Sequence, residues 1–143
     1  MTVKTILSHK GSDVSTVEPA ATLGTAIGIL AERRIGALVV LGPDRRIAGI
    51  VTERDIVREL AARGADALEE PVSRVMTRKV VTCDCADSVG EIMERMTTGK
   101  FRHVPVIEQD RLIGIVSIGD VVKHRLQEME QESAALRDYI QTA

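Results

Sequence analysis

Apolar residues along this chain follow two different periods. Leu23, Ile27 and Leu30 recur at the three- and four-residue intervals of a helix face. Short β-branched runs flank that stripe, with the turn residues Pro43-Asp44 between two of them. The pattern therefore predicts strands at 14–17, 37–41 and 47–51, with one helix from about 23 and another from about 52.

The same order returns in the second half of the chain. The stretch GIVTERDIV at 49–57 is matched by GIVSIGDVV at 114–122, and the similarity extends backwards through both preceding strands and the helix. The corresponding strands are predicted at 80–83, 103–107 and 112–116, with a helical stripe formed by Val89, Ile92, Met93 and Met96. The segments that precede the first strand of each copy, the lead-in segments, also agree: Val3, Ile6 and Leu7 correspond to Val72, Val75 and Met76. The chain is thus an internal repeat of one β-α-β-β-α unit.

One such unit would bury little apolar surface alone, and its strands are apolar on both faces. We therefore expect an α/β (α+β) fold in which two copies pack sheet to sheet about a pseudo-twofold axis, leaving clefts between them. The expected organisation is a first repeat at 1–64, a linker at 65–71, a second repeat at 72–125, and a C-terminal helical extension at 126–143 that continues the last helix.

Each copy ends its second strand pair with a hydroxyl residue followed three positions later by an acid: Thr52 with Asp55, and Ser117 with Asp120. This spacing is typical of a helix start, where the hydroxyl caps the helix and the acid favours its positive end. Ser88 with Glu91 predicts another such cap. The caps explain the motif as local structure. A second interpretation adds ligand binding, since a carboxylate beside a cleft can accept hydrogen bonds from ribose hydroxyls and a helix start can bind phosphate.

The doubled unit, with Gly-Ile-Val-(Thr/Ser)-x-x-Asp in each copy and Arg-His-Val-Pro-Val in the second, resembles a pair of CBS domains (a Bateman module) over roughly residues 1–125. The resemblance implies a regulatory module, standing alone on its chain, that binds adenosine-containing ligands such as AMP, ADP, ATP, NAD(H) or S-adenosylmethionine. In that family the motif Asp contacts the ribose, the Ser or Thr lies near ribose or phosphate, and the strand-start residues frame the adenine.

Carried onto this sequence, the resemblance implies one nucleotide site in each copy. The site in copy two would comprise Thr82, Arg102, His103, Val104, Pro105, Ser117 and Asp120. The site in copy one would comprise Thr16, Ile35, Gly36, Ala37, Leu38, Thr52, Arg54 and Asp55. Copy one has Gly36-Ala37 where copy two has Arg102-His103, so copy two is expected to bind phosphate better. Arg54 would serve its own site or reach across to the other.

The composition limits the kinds of partner that this chain is expected to bind. The net charge of −2 gives no general attraction to nucleic acid or to anionic lipid, and Phe101 and Tyr139 are too few aromatics for base-stacking platforms. No apolar run is long enough to cross a bilayer, and the N-terminus does not read as a signal peptide. Two cysteines, Cys83 and Cys85, cannot make a disulfide framework. We therefore expect a cytoplasmic protein without nucleic-acid or membrane partners.

No set of residues predicts catalysis. Cys83-x-Cys85 lacks the spacing of a zinc site and is interpreted as structural, so no metal is expected. His103 has no nucleophile or orienting acid beside it in a recognisable pattern, which leaves a ligand contact and a structural role as equal alternatives. His9 and His124 stand in polar surroundings and are predicted to be solvated. We expect no enzyme and no catalytic cofactor.

Two functions remain. The first is a regulatory module that binds an adenine nucleotide between the repeats and signals to a separate, unknown partner protein, because no effector domain shares the sequence. The second is a ligand-free scaffold that acts through its C-terminal helix. In that helix Val122, Leu126, Met129, Leu136 and Ile140 fall on one stripe at heptad spacing, interrupted by Ser133. The stripe either packs back on its own module or, as we favour, forms a homodimer contact.

Overall fold

The computed structural model describes residues 1–142 and contains both predicted copies. The elements of copy one are α1 (Val3–Lys10), β1 (Thr16–Val17), α2 (Leu23–Arg33), β2 (Ala37–Leu41), β3 (Ile47–Thr52) and α3 (Glu53–Arg63). Those of copy two are α4 (Val72–Val75), α5 (Val89–Gly99), β4 (His103–Glu108), β5 (Arg111–Ser117) and α6 (Ile118–Thr142). Short 3₁₀ turns occupy Pro43–Arg45 and Gly64–Glu69. The last residue of the predicted extension, Ala143, lies outside the described residues.

The two sheets are small and differ at one edge. In copy one, β1 pairs in parallel with β2, and β2 pairs antiparallel with β3. In copy two, β4 pairs antiparallel with β5, and the strand predicted at 80–83 is reduced to a single parallel bridge between Cys83 and Val106. Its first residues, Val80 and Val81, lie outside the ladder and line a cavity between the copies. The other predicted strands agree with the structure to within one or two residues.

The predicted helix starts are confirmed. At α3, the Thr52 hydroxyl accepts a hydrogen bond from the Asp55 amide at 3.3 Å, and the Asp55 carboxylate accepts one from the Thr52 amide at 3.0 Å. Ser88 with Glu91 forms the same reciprocal pair at α5. At α6, the amide of Ser117 donates to Asp120 at 2.9 Å, and the amide of Asp120 donates to the Ser117 hydroxyl at 3.2 Å. Each box satisfies two backbone donors that a helix start would otherwise leave unpaired.

The lead-in helices are exchanged between the copies. Val3 and Ile6 of α1 are fully buried in the core of copy two, and the amide of Val3 donates to the carbonyl of Asp87 at 2.9 Å. In return, Val72 of α4 is fully buried in the core of copy one, and its amide donates to the carbonyl of Ala21 at 2.7 Å. This reciprocal arrangement is the pseudo-twofold relation that the repeat predicts. Each core is therefore completed by the lead-in helix that precedes the other copy in the sequence.

The glycine that opens the doubled motif lies at this exchange. A Cβ atom on Gly49 would stand 2.6 Å from the sulfur of Met76 and 2.8 Å from the carbonyl oxygen of Thr77. A Cβ atom on Gly114 would stand 2.8 Å from a methyl carbon of Leu7. In both copies the segment that begins with the exchanged helix therefore crosses close to the last strand. At Gly49 the neighbour includes backbone, so a side chain there would clash, whereas at Gly114 the neighbour is the end of the flexible Leu7 side chain.

The long helix α6 begins against the body of the protein and continues beyond it. Val121 is fully buried, whereas every residue from 129 to 142 is exposed. The prediction that His124 is solvated was wrong, because its side chain is only 3% exposed. Its Nδ1 donates to the carbonyl of Asp120 at 2.8 Å, and its Nε2 lies 3.3 Å from Nδ1 of His9, whose ring stacks on it. Among residues 1–142, no helix has the length and apolar content needed to cross a membrane.

Candidate functional site

A cavity of about 700 Å³ lies between the two copies, within the size range of small-molecule sites. Copy one contributes the start of β2, the end of β3 and the first turns of α3. Copy two contributes the segment after α4 and the connection from α5 to β4. The lining residues are Gly36, Ile50, Thr52, Glu53, Arg54, Asp55, Val57 and Arg58, with Thr77, Lys79, Val80, Val81, Gly99, Lys100, Phe101, Arg102 and His103.

Asp55 supplies the buried acid of this cavity. Its side chain is fixed because Oδ2 accepts hydrogen bonds from the amide and the hydroxyl of Thr52 at 3.0 and 3.1 Å. The other oxygen, Oδ1, has only a long contact to the hydroxyl of Thr77 at 3.4 Å and lies 4.0 Å from Arg58. One oxygen of the carboxylate is therefore anchored by the helix cap, while the other has acceptor capacity left for a hydroxyl group.

The cavity joins the copies through polar contacts as well as packing. The Thr77 hydroxyl of the second copy donates to Asp55, and the Ile50 amide donates to the Thr77 carbonyl at 3.0 Å. Arg54 donates from Nη1 to the carbonyl of Lys100 at 3.3 Å. Arg54 thus lines the cavity beside its own Asp55 and also contacts the other copy.

Positive charge is concentrated in this cavity. Five Lys or Arg residues line it against two acids, although the chain as a whole carries a net charge of −2. The cations are Arg54, Arg58, Lys79, Lys100 and Arg102. His103 adds little charge at neutral pH, because burial lowers its pKa and the neighbouring Lys10 and Arg102 lower it further, against the effect of Glu53. The lining therefore favours an anionic ligand through its Lys and Arg residues.

An apolar wall completes the cavity. Ile50 and Val57 line it from copy one, and Val80, Val81 and Phe101 line it from copy two. Aliphatic and aromatic side chains on facing elements can hold a flat ring by apolar contact. The cavity thus combines an apolar wall, a fixed acid and a group of cations.

The equivalent acid of copy two is in a different environment. Lys10, at the end of α1, contacts Asp120 at 2.7 Å and donates a second hydrogen bond to the carbonyl of Ile115 at 2.9 Å. Burial opposes ionisation of Asp120, but the hydrogen bonds from Lys10 and Ser117 outweigh it and hold its pKa below the ordinary value. A side chain of the protein itself therefore takes a position beside Asp120 that a ligand hydroxyl could otherwise occupy.

The structure regroups the residues that the sequence assigned to each copy. Gly36, Thr52, Arg54 and Asp55 of the predicted first site share the cavity with Arg102 and His103 of the predicted second site. His103 also lies opposite Ser117 in the β4–β5 ladder, and Ser117 is the residue that caps the helix carrying Asp120. The remaining predicted residues do not line this cavity: Thr16 and Thr82 lie at or beside a sheet edge, Ile35 packs against core one, and Ala37, Leu38, Val104 and Pro105 are buried.

Several lining residues were missed from the sequence. Thr77 and Lys79 follow α4, and the repeat aligns them with Ser8 and Lys10 in the last turn of α1. That correspondence was visible as the agreement of the lead-in segments. The sequence does not show that each lead-in segment packs on the other copy. Because of that packing, Lys79 lines the cavity of Asp55 and Lys10 contacts Asp120. Lys100 and Phe101 carried no distinguishing pattern.

The cysteines lie apart from the cavity lining. Cys83 is buried in core two, where burial raises its pKa to about 12, and burial also raises the pKa of Cys85. Both thiols are therefore protonated at neutral pH, as expected of structural residues. Within residues 1–142, no group of three or more His, Cys, Asp or Glu side chains is arranged to hold a metal ion.

Comparison with known proteins identifies the family of this fold. The family model described as "CBS domain" matches twice, at residues 3–62 and 72–127. The chain belongs to the CBS domain family. Both matches begin with the exchanged lead-in helices, and together they include every residue that lines the cavity. The two copies form a CBS domain pair, as the repeat and the resemblance predict.

Similar proteins share this pair. The crystal structure of the CBS-domain containing protein ATU1752 from Agrobacterium tumefaciens is 50% identical, has a TM-score of 0.84, and is matched over 87% of this chain and 99% of that chain. The mitochondrial CBS domain-containing protein CBSX3 of Arabidopsis thaliana is 37% identical over 124 residues. That match covers 84% of this chain but only 60% of CBSX3, so the relative is considerably longer.

A further similar structure was solved with bound adenosine derivatives. The CBS domain pair of protein MJ0100 was crystallised in complex with 5-methylthioadenosine and S-adenosyl-L-methionine. It is 25% identical to this chain, with a TM-score of 0.79 and coverage of 90% of this chain and 98% of that chain. Both of its ligands contain adenosine.

Proposed function

We propose that this CBS pair is a non-enzymatic regulatory module that binds an adenine nucleotide in the cavity beside Asp55. The observation that carries the proposal is the position of Asp55, the one buried acid among residues 1–142, which is 9% exposed and shares a cavity between the copies with five Lys or Arg residues. An acid alone favours sugar hydroxyls, and cations alone favour phosphate. Their combination with an apolar wall suits a nucleotide, which carries all three chemical groups.

In this proposal each part of the lining has one role. Asp55 accepts hydrogen bonds from the ribose hydroxyls, because its Oδ1 retains acceptor capacity. The apolar side chains on both copies hold the adenine. Lys79, Lys100 and Arg102 contact the phosphates, since charge-assisted hydrogen bonds to phosphate are the strongest that these side chains make. The adenosine-containing ligands of the MJ0100 pair support this choice of base.

The regulatory mechanism would be linkage between binding and the arrangement of the copies. The ligand would contact residues of both copies, so it would stabilise the relative placement in which both sets of contacts form. AMP, ADP, ATP and NAD(H) are the candidate ligands, and a separate partner protein would respond to the bound state. We include a homodimer in this proposal, as the sequence suggests.

Thermal unfolding in the presence of different nucleotides tests the proposal. The purified chain would be melted with AMP, ADP, ATP, NAD, NADH and S-adenosylmethionine, with GMP as the control for the base. A ligand at about 100 times its dissociation constant adds roughly 2.7 kcal/mol to the free energy of unfolding. For a chain of this length that raises the midpoint by roughly 5–10 °C. No increase with any adenosine ligand at millimolar concentration would leave the scaffold function as the better explanation.

The two acids are expected to bind unequally because Lys10 already contacts Asp120. Isothermal titration calorimetry should give one nucleotide per chain for the natural sequence, and Lys10→Ala should raise that number towards two. Loss of a partly exposed ion pair costs only about 0–1 kcal/mol of stability, so the variant should remain folded.

Lys79→Ala is the matched control for this experiment. The repeat aligns Lys79 with Lys10, but Lys79 lines the open cavity. The Lys79 variant should weaken binding without changing the stoichiometry. Two nucleotides per natural chain, or unchanged stoichiometry in the Lys10 variant, would contradict the idea that Lys10 closes the second half-site.

A further inference from the structure

Along most of its length, α6 carries a row of exposed apolar side chains on one face. We name it the α6 stripe and define it by Val122, Leu126, Met129, Ser133, Leu136 and Ile140. Its apolar members range from 37% to 65% exposed. A single exposed apolar residue is ordinary, but a continuous row of them along one helix indicates a contact surface.

The α6 stripe does not face the body of the protein. The side of α6 that packs inward is marked by the buried residues Val121 and His124. At about 100° per residue, the centre of the stripe lies roughly a third of a turn away from that side. A second helix can therefore pack along the stripe without displacing the contacts that hold α6 to the body.

The spacing of the α6 stripe is that of a coiled coil. Its members alternate at intervals of four and three residues over the whole length from 122 to 140. In heptad notation, Leu126, Ser133 and Ile140 take the a positions, and Val122, Met129 and Leu136 take the d positions. The flanking e and g positions then decide which orientation of two helices is favoured.

The flanking charges select a parallel pair of helices. In a parallel pair, each g residue faces the e residue of the following heptad on the partner helix. Arg125 would then face Glu130 of a second copy, and Glu132 would face Arg137 of that copy. Both pairs have opposite charges, and twofold symmetry produces each of them twice.

The antiparallel alternative brings like charges together. If the stripe overlapped completely in that orientation, Leu126 would lie opposite Leu136 of the second copy. Glu130 and Glu132 would each face their own counterparts, and Arg137 would face Lys123. The charge pattern therefore disfavours this arrangement.

We infer that two copies of this chain dimerise through the α6 stripe as a parallel, in-register coiled coil. The inference specifies the homodimer of the proposed function. Nucleotide binding does not enter its test, so either proposal can fail without the other. In such a dimer both bodies lie at the same end of the coiled coil. The helix that carries Asp120 in its first turn is then the helix that joins the two copies.

The oligomeric state of variants tests the interface. Light scattering coupled to size-exclusion chromatography should give twice the chain mass at a protein concentration of about 100 µM. Leu136→Glu should give a monomer, because it places a charge in the apolar seam at a residue that is already exposed in the single chain. Gln131→Glu adds the same charge on the opposite face and should remain dimeric. A monomeric natural chain, or a dimeric Leu136→Glu variant, would overturn the inference.

Disulfide formation tests the orientation. Ile140→Cys should crosslink two chains under mild oxidation, since residue 140 faces its own counterpart only in the parallel register. Asp138→Cys, on the opposite face of the same turn, should not. The natural chain, oxidised in parallel, gives the background from Cys83, which is buried, and from Cys85, which is partly buried. A dimer that fails to crosslink through residue 140 would exclude the parallel arrangement.

Discussion

Replacing Asp55 by asparagine is expected to weaken nucleotide binding by about 100-fold. The change removes the negative charge that strengthens hydrogen bonds from the ribose, and hydrogen bonds to charged groups contribute roughly 1.5–3 kcal/mol each. A ligand concentration that stabilises the natural chain by about 2.7 kcal/mol would then stabilise the variant by only about 0.4 kcal/mol. Calorimetric titration gives the affinity directly, and thermal unfolding gives the lost stabilisation.

Asp120→Asn is the matched control for that experiment. Asp120 has the same place in the same capping motif, so both variants should lose a similar, small amount of intrinsic stability, about 1 kcal/mol. Only the Asp55 variant should lose nucleotide binding, because Asp120 is held by Lys10. Equal loss of binding in the two variants would show that both acids contact ligand. Retention of binding in the Asp55 variant would remove the central residue of the proposed function.

Ile6→Ala is expected to destabilise the second copy although Ile6 belongs to the first by sequence. Its side chain is fully buried in core two, and truncation of a buried isoleucine to alanine costs about 2–5 kcal/mol. Urea unfolding measures the total loss. Hydrogen exchange should locate it, with the largest loss of protection in α5, β4 and β5 where unfolding is local.

Two further variants test whether the destabilisation is specific to the buried face of each lead-in helix. Lys4→Ala alters an exposed residue of the same helix and should change stability by no more than about 0.5 kcal/mol. Val72→Ala makes the reciprocal change in α4 and should reduce protection in α2, β2 and β3 of copy one. If Ile6→Ala lowered protection chiefly in copy one, the exchange of lead-in helices would be incorrect.

The packing of the two copies also explains why the cavity-lining residues come from both of the sets that the sequence assigned to separate sites. Similarity between the repeats shows which residues are equivalent, but it does not show which copy an equivalent residue will contact. Arg102 was assigned to the site of Asp120 because both belong to copy two. The structure instead places Arg102 in the cavity lined by Asp55, because the cavity lies between the copies.

Electrostatic roles depended on tertiary contacts in the same way. Lys10 and Lys79 are equivalent in sequence, yet Lys10 pairs with Asp120 at 2.7 Å while Lys79 lines the open cavity. His103 stands next to the cation Arg102 in the sequence, but burial lowers its pKa and leaves it largely neutral at pH 7. His124 stands in a polar stretch of sequence and is nevertheless buried against His9. Solvent exposure and charged neighbours determine how these lysines and histidines behave, and neither can be predicted from the residues adjacent in sequence.

The sequence by itself determined the repeat, the strands β1 to β5, the helices α2, α3, α5 and α6, and the capping boxes at Thr52, Ser88 and Ser117, but it did not predict the lead-in segments as the helices α1 and α4. These features depend on apolar periodicity and on hydrogen bonds between residues three positions apart, so the local pattern contains the information. Only the tertiary structure decided that the lead-in helices cross between the copies, that Asp55 faces the cations of copy two, and that Lys10 contacts Asp120. Those contacts join residues far apart in the chain, and they depend on how the two copies pack to complete each other's cores.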